Sequence, residues 1–293
     1  MNAPATQEIV HSAVTDRYSL EVTAKDICAL HDAAQMIEPN TPISITFLPD
    51  EAPEARIAAA VAVRRLGFEP MPHFSARRIL SETAFEDYLH AVVQQANVTR
   101  CFVVAGDPVR AMGPYADTMS LIQTGAFERA CVKVIGIGGY PEGHPVMSVD
   151  ECWAVLEAKV REIEARGMAA LIVTQFGFDA AAVLPWLREL RHRGLHTPVR
   201  LGTPGPAGIA TLLRFAARCG VGASTAVMKK YGVSITNLLG SAGPDALVSS
   251  LALGLGPEHG KVNLHFYPFG GVVKTVRWIK AYQRNRLADI PAQ

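Results

Sequence analysis

Short apolar runs alternate with helical stripes along almost the whole chain. Eight runs of strand length stand out: Tyr18–Thr23, Ile43–Leu48, Glu69–Phe74, Cys101–Ala105, Val132–Ile137, Ala170–Thr174, Val199–Gly202 and Val262–Tyr267. Most are continuous in hydrophobicity rather than alternating, the pattern of strands buried on both faces of a parallel sheet. The stretches between them carry helical spacing. Ile27, Leu30, Ala34 and Ile37 recur on one face of Ala24–Ile37, behind Thr23 as an N-cap. Glu54–Leu66 is alanine-rich and closed by Gly67, and Phe85, Leu89 and Val92 mark a face of Glu82–Ala96. Ser120–Phe127 reads as a helix. Trp153, Leu156, Val160 and Ile163 stripe a long helix over Asp150–Arg166 that Gly167 stops. Ala180–Arg193, Ile209–Cys219, two pieces within 225–257 split at Gly240–Pro244, and Val272–Arg286 complete the series.

Eight strands alternating with helices in 293 residues predict an α/β fold, a (β/α)8 TIM barrel, which typically needs about 250 residues. The rival architecture is an open doubly wound sheet. It calls for a G-x-G-x-x-G turn after the first strand, and none stands there. Without an evident linker, repeat or low-complexity stretch, one barrel domain is expected over residues 17–293. A polar, flexible N-terminal arm is expected over residues 1–16.

Composition narrows the class. Hydrophobic residues at 49% and charged ones at 19% supply a large core, and a formal net charge of +1 gives no electrostatic case for nucleic acid or an anionic membrane. No apolar run reaches the roughly 18 residues of a membrane span, and the N-terminus lacks a signal-peptide pattern. A cytoplasmic protein is expected, with a homo-oligomer left open. The five cysteines, Cys28, Cys101, Cys131, Cys152 and Cys219, form no C-x-x-C pair. That argues against a disulfide framework or a metal site.

In a (β/α)8 barrel the C-terminal strand ends and the loops after them build the active site. Those positions hold Glu21, Thr46, His73, Asp107, Tyr140, Glu142, His144, Gln175, Pro204, Gly205, His265 and Tyr267. Carboxylates at one mouth suit acid–base work. Each also has a plainer reading, since a strand-end carboxylate can simply cap or pair. His73 is either a core histidine or a working one, and His265, inside an apolar run, reads as structural. Gly138 and Gly139 are either turn residues or points where backbone approaches a phosphate. Lys229, Lys230 and Tyr231 read as a solvated helix face or as the seat of an anionic tail.

Eight motifs carry a resemblance. They are YSLEVT around Glu21, SITF with Thr46, MPHFSAR with His73, VVAGDPV, IGGYPEGHP, LIVTQFGFD, TPGPAGI and LHFYPF. In this order they resemble the catalytic domain of the methylenetetrahydrofolate reductase family, most specifically through Y-P-E-x-H-P followed by T-Q-x-x-F-D. The resemblance implies reduction of 5,10-methylenetetrahydrofolate to 5-methyltetrahydrofolate. The family uses FAD, with NADH or NADPH as electron source, in ping-pong fashion. It makes Glu21 the acid that protonates the folate amine, for which a raised pKa is expected. It places Asp107 beside flavin and pterin, contacting the folate, and gives Gln175 the amide-like edge of the pterin. Thr46, His73, Ala105, Gly106, Asp107, Tyr140, His144 and Lys159 correspond to the cofactor lining.

The chain also departs from the family pattern. Ala105 stands where the family has an arginine. Glu162 and Ile163 stand for a basic pair, with Lys159 and Arg161 as substitutes, and Gly270 and Gly271 stand for a last-strand asparagine and arginine. These departures keep two alternatives open: a flavin-free enzyme passing hydride directly from NADH, and a tetrahydrofolate-dependent methyl-transfer or folate-binding protein on the same barrel.

Overall fold

A computed structural model describes residues 14–49, 51–219 and 241–288. Eight parallel strands close into a barrel: β1 (Ser19–Val22), β2 (Pro42–Ile45), β3 (Glu69–Ser75), β4 (Arg100–Val104), β5 (Val134–Gly139), β6 (Ala169–Phe176), β7 (Val199–Pro204) and, after two short strands, β10 (Val262–Tyr267). The ring is sealed where Ser19 and Leu20 of β1 register against His265 and Phe266 of β10. The two short strands, β8 (Ala207–Gly208) and β9 (Ser241–Ala242), pair antiparallel beside the barrel. The helices are α1 (Ile27–Ala33), α2 (Pro53–Arg65), α3 (Glu82–Ala96), α4 (Thr118–Ile122), α5 (Ala126–Arg129), α6 (Val149–Ala165), α7 (Ala180–His192), α8 (Ile209–Arg218), α9 (Asp245–Gly254) and α10 (Val272–Ala288). None among the described residues is long and apolar enough to cross a membrane.

Strand periodicity of two explains where the core and the site lie. One set of side chains, including Leu20, Ile43, Phe74, Ile135, Ile172 and Phe266, packs outward against the helix stripes in a single large core. The opposite set points into the barrel. There Met71, Phe102, Leu171 and Val173 form a separate apolar cluster. Two residues further along their strands, the same inward faces present His73 and Gln175. The apolar layer is therefore a floor, and polar side chains occupy the C-terminal level above it.

The eight expected strands are all present. Three local expectations need correction. Ala24–Ile37 is not one helix but α1 flanked by 3-10 turns at Ala24–Asp26 and Ala34–Met36. Ser120–Phe127 is split into α4 and α5 because Gly125, at φ +75°, turns the chain through the left-handed region. The arm expected over residues 1–16 reaches the described residues only at Val14, and from there it is packed rather than loose. Thr15 is fully buried. The Thr15, Asp16 and Arg17 carbonyls accept hydrogen bonds from Gln283 (3.1 Å), Asn263 (3.1 Å) and Arg200 (3.0 Å). Pro70 and Pro72 are tolerated inside β3 because its ladder to β4 begins only at His73, beyond both of them. Of the two helical pieces expected within 225–257, the first, with Lys229, Lys230 and Tyr231, lies outside the described residues.

Candidate active site

The mouth is built around Glu21. β1 turns Ser19 and Glu21 to the same inward face, and β3 and β10 bring His73 and His265 to either side. Glu21 Oε2 lies 3.6 Å from His73 Nε2 and 3.6 Å from His265 Nε2. That is beyond full hydrogen-bond length, and both ring nitrogens are buried without a hydrogen-bond partner. The other ring nitrogen of His265, Nδ1, is 2.8 Å from Ser19 Oγ. His73 leans on Phe102 at a centroid distance of 4.6 Å, and His265 meets the Tyr267 ring at 4.9 Å.

These contacts overturn two expectations. Burial alone pushes the Glu21 carboxyl up, but the pull of His265, then of His73 and the Thr46 hydroxyl, more than offsets it and leaves the group below its ordinary value. Glu21 is thus a carboxylate at neutral pH, not the resident acid that a raised pKa would make it. His265, which reads as structural in the sequence, is instead one of the two groups facing Glu21. Burial holds His73 down to about 4 despite the attraction of Glu21, so its ring is neutral at pH 7.

Across the mouth, β5 and β6 supply a second group. Gln175 sits at a register shift in β6 and its Oε1 accepts the Phe176 N–H at 3.0 Å. Tyr140 and His144 meet edge to face at 4.7 Å. His144 Nδ1 accepts the N–H groups of Val146 (3.2 Å) and Met147 (3.1 Å), which places any ring proton of the neutral form on Nε2. Burial and the nearby Lys159 ammonium both lower the His144 pKa. Lys159 is itself lowered by burial and makes no ion pair among the described residues. With Gly138, Gly139, Tyr140 and Trp153 it lines a cavity of about 70 Å³. The two glycines lie in β5, not in a turn. A Cβ on Gly139 would come within 2.8 Å of Ile172 Cγ2 and 3.1 Å of Trp186. Glu142 braces this side: its Oε1 accepts the N–H groups of Phe178 (2.8 Å) and Asp179 (3.4 Å), tying the loop after β5 to the start of α7.

The loops after β3 and β4 form the third group. Gly106 takes φ +90°, and a Cβ there would run into Ser75 Oγ. The chain then presents Asp107, whose side chain is 65% exposed and gripped on both oxygens by Arg78, Nε to Oδ1 at 2.6 Å and Nη2 to Oδ2 at 2.7 Å. Sequence reasoning did not foresee this arginine. Ala105 has no charge to offer, and its carbonyl accepts the Arg77 N–H at 2.9 Å. Gly270 is glycine for a steric reason, since a Cβ would collide with the Pro206 carbonyl.

FAD is the group that the sequence motifs imply. The donor set by β5 and α6 suits an anionic dinucleotide: an ammonium without an ion pair, an aromatic face at Tyr140 and a ring N–H at His144. Thr46 and His73, expected in the same lining, stand beside Glu21.

No family model matches the chain. A stretch of 126 residues, 39% of the chain, is 30% identical to methylenetetrahydrofolate reductase 1 of Schizosaccharomyces pombe, and it spans only 20% of that protein's length. The fold resembles that of a Clostridium thermocellum protein that binds two copies of 5-methyl-5,6,7,8-tetrahydrofolic acid. The TM-score is 0.55 with 10% identity, over 93% of this chain and 98% of that one. It also resembles dihydropteroate synthase of Thermus thermophilus, with a TM-score of 0.52 and 14% identity, over 92% of this chain and 94% of that one. At such identities the likeness establishes a shared barrel.

Proposed function

We propose that the chain is a folate one-carbon oxidoreductase that reduces 5,10-methylenetetrahydrofolate to 5-methyltetrahydrofolate with electrons from NADH or NADPH through FAD. The observation that carries this reading is the Glu21 cluster, one desolvated carboxylate between two imidazole nitrogens that have no partner of their own. The order of the sequence motifs, the partial identity with the Schizosaccharomyces pombe reductase, and a barrel shared with a methyltetrahydrofolate-binding protein and a pteroate synthase support it.

The chemistry needs a proton on the folate amine before the methylene bridge opens to an iminium that accepts hydride. Glu21 rests as a carboxylate, so the proton it delivers to the folate amine is taken up from solvent as substrate binds, with His73 and His265, the latter fixed on its far side by Ser19, facing the carboxyl from 3.6 Å. A folate that fills the mouth covers the 18% of the Glu21 side chain still open to solvent, which raises the carboxylate's proton affinity toward that needed of an acid. Gln175 reads the pterin edge. Lys159, Tyr140 and His144 would hold the dinucleotide. FAD, when bound, supplies the two-electron relay between nicotinamide and folate.

A second reading, direct hydride transfer from NADH, is favoured by Ala105 and by the commitment of Asp107 to Arg78, both at positions where the family holds its flavin. Stripping the purified protein of flavin and assaying 5-methyltetrahydrofolate formation from NADH and the methylene substrate, with and without added FAD, separates the two. FAD-dependent product supports the first reading, and full activity in flavin-free protein supports the second. No product under either condition sinks both.

A further inference from the structure

Outside the barrel, between the starts of α2 and α3 and under the loops after β2, β3 and β4, lies a cavity of about 250 Å³. Its wall is aromatic, with Phe47, Phe85 and Tyr88, and its rim carries two exposed apolar side chains, Leu80 (63%) and Met112 (56%). It holds a buried cation with no ion pair among the described residues. Arg56 is 3% exposed, and its Nε and Nη1 make no hydrogen bond. Its guanidinium carbon sits 3.6 Å from the Phe47 ring centroid and 5.1 Å from that of Tyr88, so two rings flank it. Burial lowers its pKa. Its place one turn into α2, near the positive end of the helix dipole, offers it nothing in return.

Two more orphans face the same space. Glu51 Oε2 and the Tyr88 hydroxyl are buried without a hydrogen-bond partner. No ion pair closes between Glu51 and Arg56 among the described residues. Arg78 also lines the cavity, but its charge is matched by Asp107. The charges therefore cancel: an anion meets Glu51 and a cation meets Arg56. What complements the set is a flat molecule that accepts from Arg56, donates to Glu51 and lies along the rings.

We propose that this cavity binds a neutral, planar nitrogen heterocycle whose edge carries a hydrogen-bond acceptor beside a donor, the edge common to nucleobases, pterins and nicotinamide. The site is separate from the Glu21 cluster and does not depend on the folate reading. Because Arg78 borders the cavity and grips Asp107, a ligand here touches the candidate active site through one side chain.

The test is calorimetric titration of the full chain with guanosine, folic acid and nicotinamide, which set that edge on three different bodies. It is repeated with Glu51→Gln, which removes the acceptor, and Leu80→Trp, which blocks the rim at an exposed position that folding tolerates. The expected result is that at least one probe binds and that both variants weaken it by about ten- to a hundredfold. The probe that binds names the source of the ring. Failure of all three to bind at millimolar concentration overturns the proposal, as does equal affinity in wild type and both variants. Tighter binding of benzoate or inorganic phosphate to the same place overturns it in favour of an anion seat.

Discussion

Glu21 and Asp107 are both strand-end carboxylates of one barrel, and the protein holds them in opposite ways. Glu21 is desolvated and faced by two imidazoles at 3.6 Å. Asp107 is 65% exposed and clamped by a bidentate arginine. A carboxylate faced by imidazole nitrogens can exchange a proton with its surroundings. One locked to a guanidinium cannot, because arginine does not give up its proton near neutral pH. In the proposed reaction, proton chemistry belongs to the β10–β1–β3 side of the mouth and fixed charge to the loops after β3 and β4. It also separates two roles that residue type alone makes look alike.

The strongest way to break this division is to exchange each carboxylate for its amide. Glu21→Gln is expected to lower formation of 5-methyltetrahydrofolate by about a hundredfold or more, the range of a lost general acid–base group. Oxidation of NADH by a quinone acceptor should stay close to wild type. If Asp107→Asn cuts folate reduction as deeply, or if Glu21→Gln stops both half-reactions together, Glu21 is no longer the proton-handling member of the pair.

The pH dependence of stability sharpens the same contrast. An unfolded histidine ionises near 6.5, whereas folded His73 stays neutral down to about 4. Between those values the unfolded chain takes up a proton that the folded chain refuses, so stability falls as the pH is lowered. Lowering the pH further adds to the loss. The contribution of Glu21, whose pKa is depressed, is present above the unfolded carboxylate value and disappears as pH falls through its own lower one. The histidine window is worth about 3 kcal/mol. Urea unfolding of wild type and His73→Gln from pH 7 to pH 4 reads it directly, and the variant should show the flatter slope. Parallel slopes would mean that His73 does not carry the effect.

How much of this was legible follows from what each feature depends on. The eight strands show in the sequence because burial on both faces leaves nearly uninterrupted apolar runs. Glu21, His73 and Gln175 show as polar breaks at the ends of those runs. His265 does not, because the aromatic run around it hides which face it takes, and its partner Ser19 is 246 residues away. The direction of the Glu21 pKa is a property of the closed barrel, since it depends on side chains delivered by β3 and β10. Arg78 escaped notice because its pairing with Asp107 joins two loops whose sequences say nothing of each other. Glu142 stood out as part of a motif, yet its contacts with Phe178 and Asp179 belong to loop bracing.

The smallest expected effect tests the exposed half of the comparison. The Arg78–Asp107 pair has good geometry, but its carboxylate stands largely in water, where screening leaves ion pairs worth about 0–1 kcal/mol. Arg78→Ala is therefore expected to change unfolding stability by less than about 1 kcal/mol. Its folate-reduction pH profile should keep the wild-type shape, because the Glu21 cluster is untouched. The change should appear instead in the apparent affinity for substrate or nicotinamide, and it should shrink as salt is raised, since ions screen an exposed charge within about 10 Å at 0.1 M. A shift in the pH profile as large as that of Glu21→Gln would mean that Arg78 and Asp107 take part in proton transfer after all. The division between a proton-handling side and a charge-holding side would then fail at its weaker end.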